Sequence, residues 1–258
     1  MLTLTDEQLD ALLAQDVPCG DLTTEVLDIG EIPARMSLRA RDPMVLSSAE
    51  EAARLVELSG GTILMKLTSG TRLEAGQVFL EVEGPAAALH RAWKVAQTLV
   101  EYSAGIATRA DHLVKAARST NPTIAVACTR KNFPGTKEIS IKAVMAGGAS
   151  IHRLGLSETF LAFANHRRLL KEPVEQWVAC AKAQIPEKKV AVETDNVKDA
   201  EALARAGAEV LQLDKMPVAD VAEVVALVKR LGFSCLVAAT AGSTRTMPQT
   251  MPPRAVRC

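Results

Sequence analysis

No excess of either charge runs through this sequence: 30 Lys and Arg offset 30 Asp and Glu in 258 residues. There is therefore no global basic field to hold nucleic acid or an anionic membrane, although a local cluster can still capture a small anion. No stretch approaches the roughly 20 apolar residues that a membrane helix needs, and the first ten residues carry acids where a secretion signal wants bases. A cytoplasmic protein is expected, with neither nucleic acid nor membrane as partner. Cysteine is thinly spread: Cys19, Cys128, Cys180, Cys235 and Cys258 are odd in number and show no CxxC spacing, which argues against a disulfide framework or structural zinc. The four histidines (His90, His112, His152, His166) include no HExxH or HxH pair, and no GxGxxG turn marks a dinucleotide fold. What remains is an ordinary globular composition, 48% apolar and 23% charged, which excludes disorder, collagen and coiled coil. The expected partner is a small molecule.

The first hundred residues read as a small α+β domain. Thr5 with Gln8 three residues on forms a capping box, Leu4 and Leu9 are placed as a hydrophobic staple, and Leu9, Leu12 and Leu13 give the helix its apolar face. The helix stops near Pro18, and Cys19 to Thr24 reads as a polar turn. Residues 35 to 46 alternate as a half-buried strand, Ser47 or Ser48 caps a helix through about Leu58, and strands are expected at 62 to 67 and 77 to 83 around turns at Gly70 and Gly76. A long helical pattern then runs from His90 to about Arg118. From there short apolar runs alternate with amphipathic helices: strands at 124 to 128, 189 to 192, 210 to 213 and 233 to 239, helices at 140 to 146, 198 to 206 and 219 to 230. Parallel βαβ units follow, most simply a TIM-like β/α barrel, with an N-terminal α+β sandwich domain over 1–108 and the barrel over 109–258.

In such barrels the strand carboxyl ends converge on the active site, and here those ends are charged. Arg130 and Lys131 follow one strand, Glu193 and Asp195 a second, Asp214 and Lys215 a third, while His152 and Arg153 follow the Gly147-Gly148-Ala149-Ser150 loop. A mouth of this kind joins cations for an anionic substrate to carboxylates that hold Mg²⁺ or stabilise a cationic transition state. The rival reading of any one such residue is a solvated strand-end charge. A Schiff-base aldolase is another rival, with Lys131 and Lys215 as its positional candidates.

Thr-Arg-Lys-Asn-Phe-Pro-Gly (129 to 135), His-Arg-Leu-Gly-Leu (152 to 156), Asn165-His166, Val-Glu-Thr-Asp-Asn (192 to 196) and Gly-Ala-Glu-Val-Leu-Gln-Leu-Asp (207 to 214) resemble the quinolinate phosphoribosyltransferase family, the carboxylating nicotinate-nucleotide pyrophosphorylases. Gly20 to Thr24 and Gly105 to Thr108 resemble that family's N-terminal domain, so the likeness covers about residues 5 to 242, in order and spacing. Within the family the sequence looks closest to the ModD pyrophosphorylase subgroup, associated with molybdenum transport. The resemblance implies transfer of ribosyl 5-phosphate from phosphoribosyl pyrophosphate to the nitrogen of a heterocyclic carboxylic acid, with Mg²⁺ and release of pyrophosphate. It implies that Arg130, Lys131, His152 and Arg153 bind the acid, that Glu193 and Asp214 serve the ribose and metal side, and that Thr240, Ala241 and Gly242 hold phosphate. It also implies a homodimer.

Three positions depart from the family pattern. Lys94 stands where a partner-donated arginine is expected, with Arg91 one helical turn away, and Phe163 stands where a substrate lysine is expected. A point-charge lysine lacks the planar fork of arginine, and a lost cation favours an acceptor less charged than quinolinate. From about 243 the tail carries three prolines and breaks both helix and strand patterns, so a barrel incomplete at its C-terminal end is expected; in one allowed set of codons a one-nucleotide frame change over 246 to 254 restores a helical pattern, which the coding DNA tests. These departures favour the competing reading, a non-catalytic anion-binding accessory protein in molybdenum metabolism.

Overall fold

The computed structural model describes residues 3–240 and the backbone of 255–257. In chain order the elements are α1 (Asp6–Asp16), α2 (Leu22–Val26), β1 (Pro33–Arg39), β2 (Met44–Val45), α3 (Ala49–Leu58), β3 (Thr62–Lys66), β4 (Arg72–Leu73), β5 (Val78–Pro85), α4 (Ala86–Thr120), β6 (Ala127–Cys128), α5 (Lys137–Ala146), β7 (Ser150–Ile151), β8 (Leu161–Ala162), α6 (Ala164–Arg167), α7 (Val174–Gln184), β9 (Ala191–Thr194), α8 (Val197–Arg205), β10 (Val210–Asp214), α9 (Val218–Arg230), β11 (Leu236–Thr240) and β12 (Ala255–Arg257). Two compact units result: residues through His112 with Asn132–Ala149, and Leu113–Lys131 with Ser150 onward.

The first unit is α+β. β5 is the centre of an antiparallel sheet, pairing β1 from Pro33↔Pro85 to Arg39↔Val78 on one side and β3 on the other, while β2 and β4 form a separate antiparallel pair. Leu9 and Leu13 of α1, Leu55 and Val56 of α3, Leu80 of β5 and Leu89 and Ala96 of α4 close one core. The capping box forms: the Thr5 hydroxyl accepts from the Gln8 amide at 3.3 Å, and the Gln8 side chain accepts from the Thr5 amide at 2.9 Å. Two local readings are corrected. The expected polar turn continues into α2, because Asp21 accepts from the amides of Thr23 and Thr24 and so caps a short helix. Ser48 occupies the N-cap position of α3 without capping it: its backbone is left-handed (φ 60°), which turns the hydroxyl away from the first-turn amides.

The second unit is α/β. Its strands hydrogen-bond as a five-stranded parallel sheet in the order β12-β11-β10-β9-β8 and a separate parallel pair, β6-β7. Helices α7, α8 and α9 cross between successive strands, as parallel neighbours require. The two faces of the large sheet differ. Val192, Leu211, Leu213, Val237 and Ala239 pack with Leu203 of α8 and Val221 and Val224 of α9. Alternation then places Glu193, Gln212, Asp214, Ala238 and Thr240 together on the opposite face.

The glycine loop before β7 is built for packing. A Cβ on Gly147 would stand 2.3 Å from the Ala107 carbonyl oxygen of α4, and Gly148 is left-handed at φ +81°. Among the described residues no helix is long and apolar enough to cross a membrane.

Candidate functional site

β6 and β7 run parallel and in register, with Ala127 beside Ser150 and Cys128 beside Ile151. The His152 amide extends the ladder, donating to the Cys128 carbonyl at 2.9 Å. Both chains therefore leave the pair at the same end, which carries Arg130 and Lys131 away from one strand and His152 and Arg153 from the other. Arg153 is 6% exposed, and no carboxylate among the described residues pairs with it. Burial, and after it the charge of Arg130, pulls the Arg153 guanidinium below its ordinary value. Its only close aromatic neighbour among the described residues is Phe163, whose ring centroid lies 5.3 Å from the guanidinium carbon. Burial also lowers His152, with Arg153 adding to the effect and Glu158 opposing it, so this imidazole is neutral near pH 7 and offers one N–H.

On the polar face of the large sheet, Glu193 of β9 stands beside Gln212 of β10, and Asp214 stands beside Thr240 of β11. Gln212 donates through Nε2 to Glu193 Oε2 at 3.1 Å, and Thr240 donates through its hydroxyl to Asp214 Oδ1 at 2.9 Å. Burial raises the Glu193 carboxyl above its usual range, the Asp214 charge raises it further, and Gln212, Lys215 and Lys131 pull the other way. The influence of Lys131 links the cationic strand ends to this acidic face. Lys215 follows in the left-handed region (φ 53°) with Nζ 3.5 Å from Asp214 Oδ2.

The other expected residues fall elsewhere. Lys94 belongs to the first unit, where Nζ donates to Gln97 at 3.1 Å and lies 4.3 Å from the Trp93 ring centroid. Ala241, Gly242 and the tail from 243 lie outside the described residues. Sequence reasoning missed Gln212, hidden in an apolar strand. It also missed Arg167, whose guanidinium grips Asp199 at 2.7 and 2.6 Å and donates to the Glu193 carbonyl at 3.2 Å, fixing the end of β9.

The chain as a whole has known relatives. Residues 21–104 match the N-terminal domain, and residues 106–247 the C-terminal domain, of quinolinate phosphoribosyl transferase. The chain belongs to the quinolinate phosphoribosyl transferase family. It is 44% identical over 227 residues to "Putative pyrophosphorylase ModD" of Rhodobacter capsulatus, covering 88% of each protein. It is also 31% identical over 211 residues to the carboxylating nicotinate-nucleotide pyrophosphorylase of Mycobacterium leprae, covering 80% of this chain and 73% of that one. The solved structure of NadC from Streptococcus pyogenes superposes with a TM-score of 0.87 at 26% identity, covering 100% of this chain and 93% of that one. Membership in the quinolinate phosphoribosyl transferase family makes this chain a pentosyltransferase of the pyrophosphorylase type and assigns its two-part, N-terminal and C-terminal, α/β architecture.

Proposed function

We propose that the chain transfers the ribosyl 5-phosphate group of phosphoribosyl pyrophosphate to a ring nitrogen of a heterocyclic carboxylic acid, releasing pyrophosphate. One observation carries this reading: buried Arg153, with no carboxylate partner among the described residues, beside Arg130 at one set of strand ends, and the carboxylates Glu193 and Asp214 on the sheet's polar face. Arg130, Lys131, His152 and Arg153 hold the acid, since a guanidinium grips a carboxylate through two charge-assisted hydrogen bonds. The ring nitrogen attacks the anomeric carbon as the bond to pyrophosphate breaks, and positive charge gathers on the ribose. Glu193 and Asp214 face that charge, with Thr240 fixing the orientation of Asp214.

Mg²⁺ belongs to the same proposal. Glu193, raised first by burial and then by the Asp214 charge, forms with Asp214 a donor pair that a hard cation relieves, and Mg²⁺ is commonly held by one or two carboxylates together with substrate phosphates. Bound there, it supplies neutralisation of the leaving pyrophosphate. Phe163 beside Arg153 leaves an apolar face where a second cation is expected from the family pattern, which favours an acceptor carrying one carboxylate rather than two. A homodimer in the cytoplasm, with a TIM-like closure of the strands, completes the proposal; Lys94 is the side chain assigned to the partner's site.

Calorimetric titration with phosphoribosyl pyrophosphate, with and without Mg²⁺, followed by product analysis with quinolinate and its monocarboxylic analogues, tests the reading. Metal-dependent binding and pyrophosphate release are expected. Binding without turnover on any such acid would favour the non-catalytic anion-binding alternative, and no binding would overturn the donor assignment.

A further inference from the structure

Gln212 lies in the middle of β10, level with Glu193 on one side and Ala238 on the other. It is 7% exposed. One end of its carboxamide is committed, since Nε2 donates to Glu193 Oε2 at 3.1 Å. The other end, Oε1, is fully enclosed and finds no hydrogen-bond partner among the described residues. An ionised Glu193 fixes this orientation, because turning the amide over would set two oxygens against each other. The neighbour across on β11, Ala238, offers only a methyl group. Buried amide oxygens are almost always paired, so one left open on the face that also carries Glu193, Asp214 and Thr240 calls for a donor from outside the protein.

The donor's chemistry is constrained. An amide oxygen accepts and cannot donate, so it repels the carboxylate of an acid acceptor and any phosphate oxygen. It suits a neutral hydroxyl. The pentose ring supplies two adjacent hydroxyls, and an acceptor pair such as Glu193 and Gln212, tied to each other at 3.1 Å, matches two neighbouring donors.

We propose that Gln212 is a specificity-determining residue that accepts a hydrogen bond from a ring hydroxyl of the phosphoribosyl donor, beside Glu193. This rests on the donor assignment above. It explains why a polar side chain stands between Leu211 and Leu213 in β10: its Oε1, without a partner among the described residues, is an acceptor that a sugar hydroxyl closes.

The probes are ribose 5-phosphate and its 2-deoxy and 3-deoxy analogues, titrated calorimetrically into the wild type and Gln212→Met, a change of similar volume. In the wild type, removing one of the two hydroxyls is expected to weaken binding about tenfold, the scale of leaving one buried acceptor unpaired. In Gln212→Met that discrimination falls to about one to two-fold. The same variant melts at a higher temperature than wild type without ligand, because the open oxygen is gone. Retained discrimination, or a lower melting temperature caused by loss of the Glu193 contact alone, overturns the proposal and makes Gln212 a structural support. If wild type binds neither ribose 5-phosphate nor phosphoribosyl pyrophosphate, the donor assignment itself fails and this inference falls with it. If wild type binds all the sugars equally, only the role of Gln212 fails.

Discussion

Lys142 in the first unit and Arg153 in the second are both enclosed cations, 1% and 6% exposed, yet their surroundings differ completely. Lys142 Nζ reaches Glu51 at 2.8 and 2.6 Å and Glu50 at 2.8 Å, and Ser69 donates to Glu50 through its amide at 2.9 Å and its hydroxyl at 2.5 Å. Burial pushes Glu50 up, but the bonds from Lys142 and Ser69 outweigh it and bring its carboxyl down to about 2. Among the described residues Arg153 has no such carboxylate and the Gln212 oxygen has no partner, and Glu193 is pushed up rather than down. The unpartnered hydroxyls of the first unit, Ser47, Ser48 and Ser59, sit at the two ends of α3 and carry no charge. Charge enclosed beside its counter-charge serves the fold, whereas charge enclosed without one among the described residues is where the proposed function places the ligand.

The hardest test of that contrast removes the paired cation. Lys142→Met leaves the buried Glu51 carboxylate uncompensated and is expected to cost about 3–5 kcal/mol of stability in urea titration, with most of it recovered in the double variant Lys142→Met, Glu51→Leu. An unchanged midpoint in the single variant would mean that the cluster is solvated.

Acid exposes the same asymmetry. Glu50 falls from 4.5 to about 2 on folding, so its contribution is fully present above about pH 4.5 and is lost as pH drops toward 2, amounting to about 3 kcal/mol. Glu193, raised on folding, has the opposite sign: protonating it relieves strain as pH falls. Glu50→Gln should flatten the acid limb of the stability curve and Glu193→Gln should not. Identical acid limbs in the two variants would erase the contrast.

In the second unit the penalties should appear in kinetics rather than in folding. Asp214→Asn is expected to lower kcat about 100-fold with the acceptor KM within about twofold, the scale of losing one fixed charge opposite a developing one. Wild-type turnover in that variant would remove Asp214 from the reaction. Arg153→Ala should raise the acceptor KM about tenfold while leaving the urea midpoint nearly unchanged, the inverse of Lys142→Met. A large loss of stability there would place Arg153 among the structural cations.

The smallest effect concerns an uncharged orphan. Ser48 pairs a left-handed backbone with a buried, partnerless hydroxyl. Ser48→Gly should therefore stabilise by about 1 kcal/mol, seen as a melting temperature a few degrees higher.

Local and periodic signals were legible from the chain itself. The Thr5–Gln8 capping box needs only residues three apart, and the alternation of apolar runs with amphipathic helices dictated the parallel α/β unit and the charged strand ends at 130–131, 193 and 214. The signals that failed are those whose partners lie far off in sequence. Lys142 looks like a solvated helix lysine until α5 meets α3, 91 residues earlier. Gln212 looks like a polar lapse in a buried strand until β9 brings Glu193 beside it, and Arg167 looks like one of several exposed cations until Asp199 closes on it, 32 residues later.

The sequence by itself determined which residues become strands, which become helices and where charge collects along the chain, because hydrogen-bond geometry and side-chain period act over a few residues. Only the tertiary structure decided which of those charges are satisfied. Pairing in the interior depends on which side chains distant segments bring within about 3 Å, and that distance separates the closed cluster around Lys142 from Arg153 and the Gln212 oxygen, which find no such partner among the described residues.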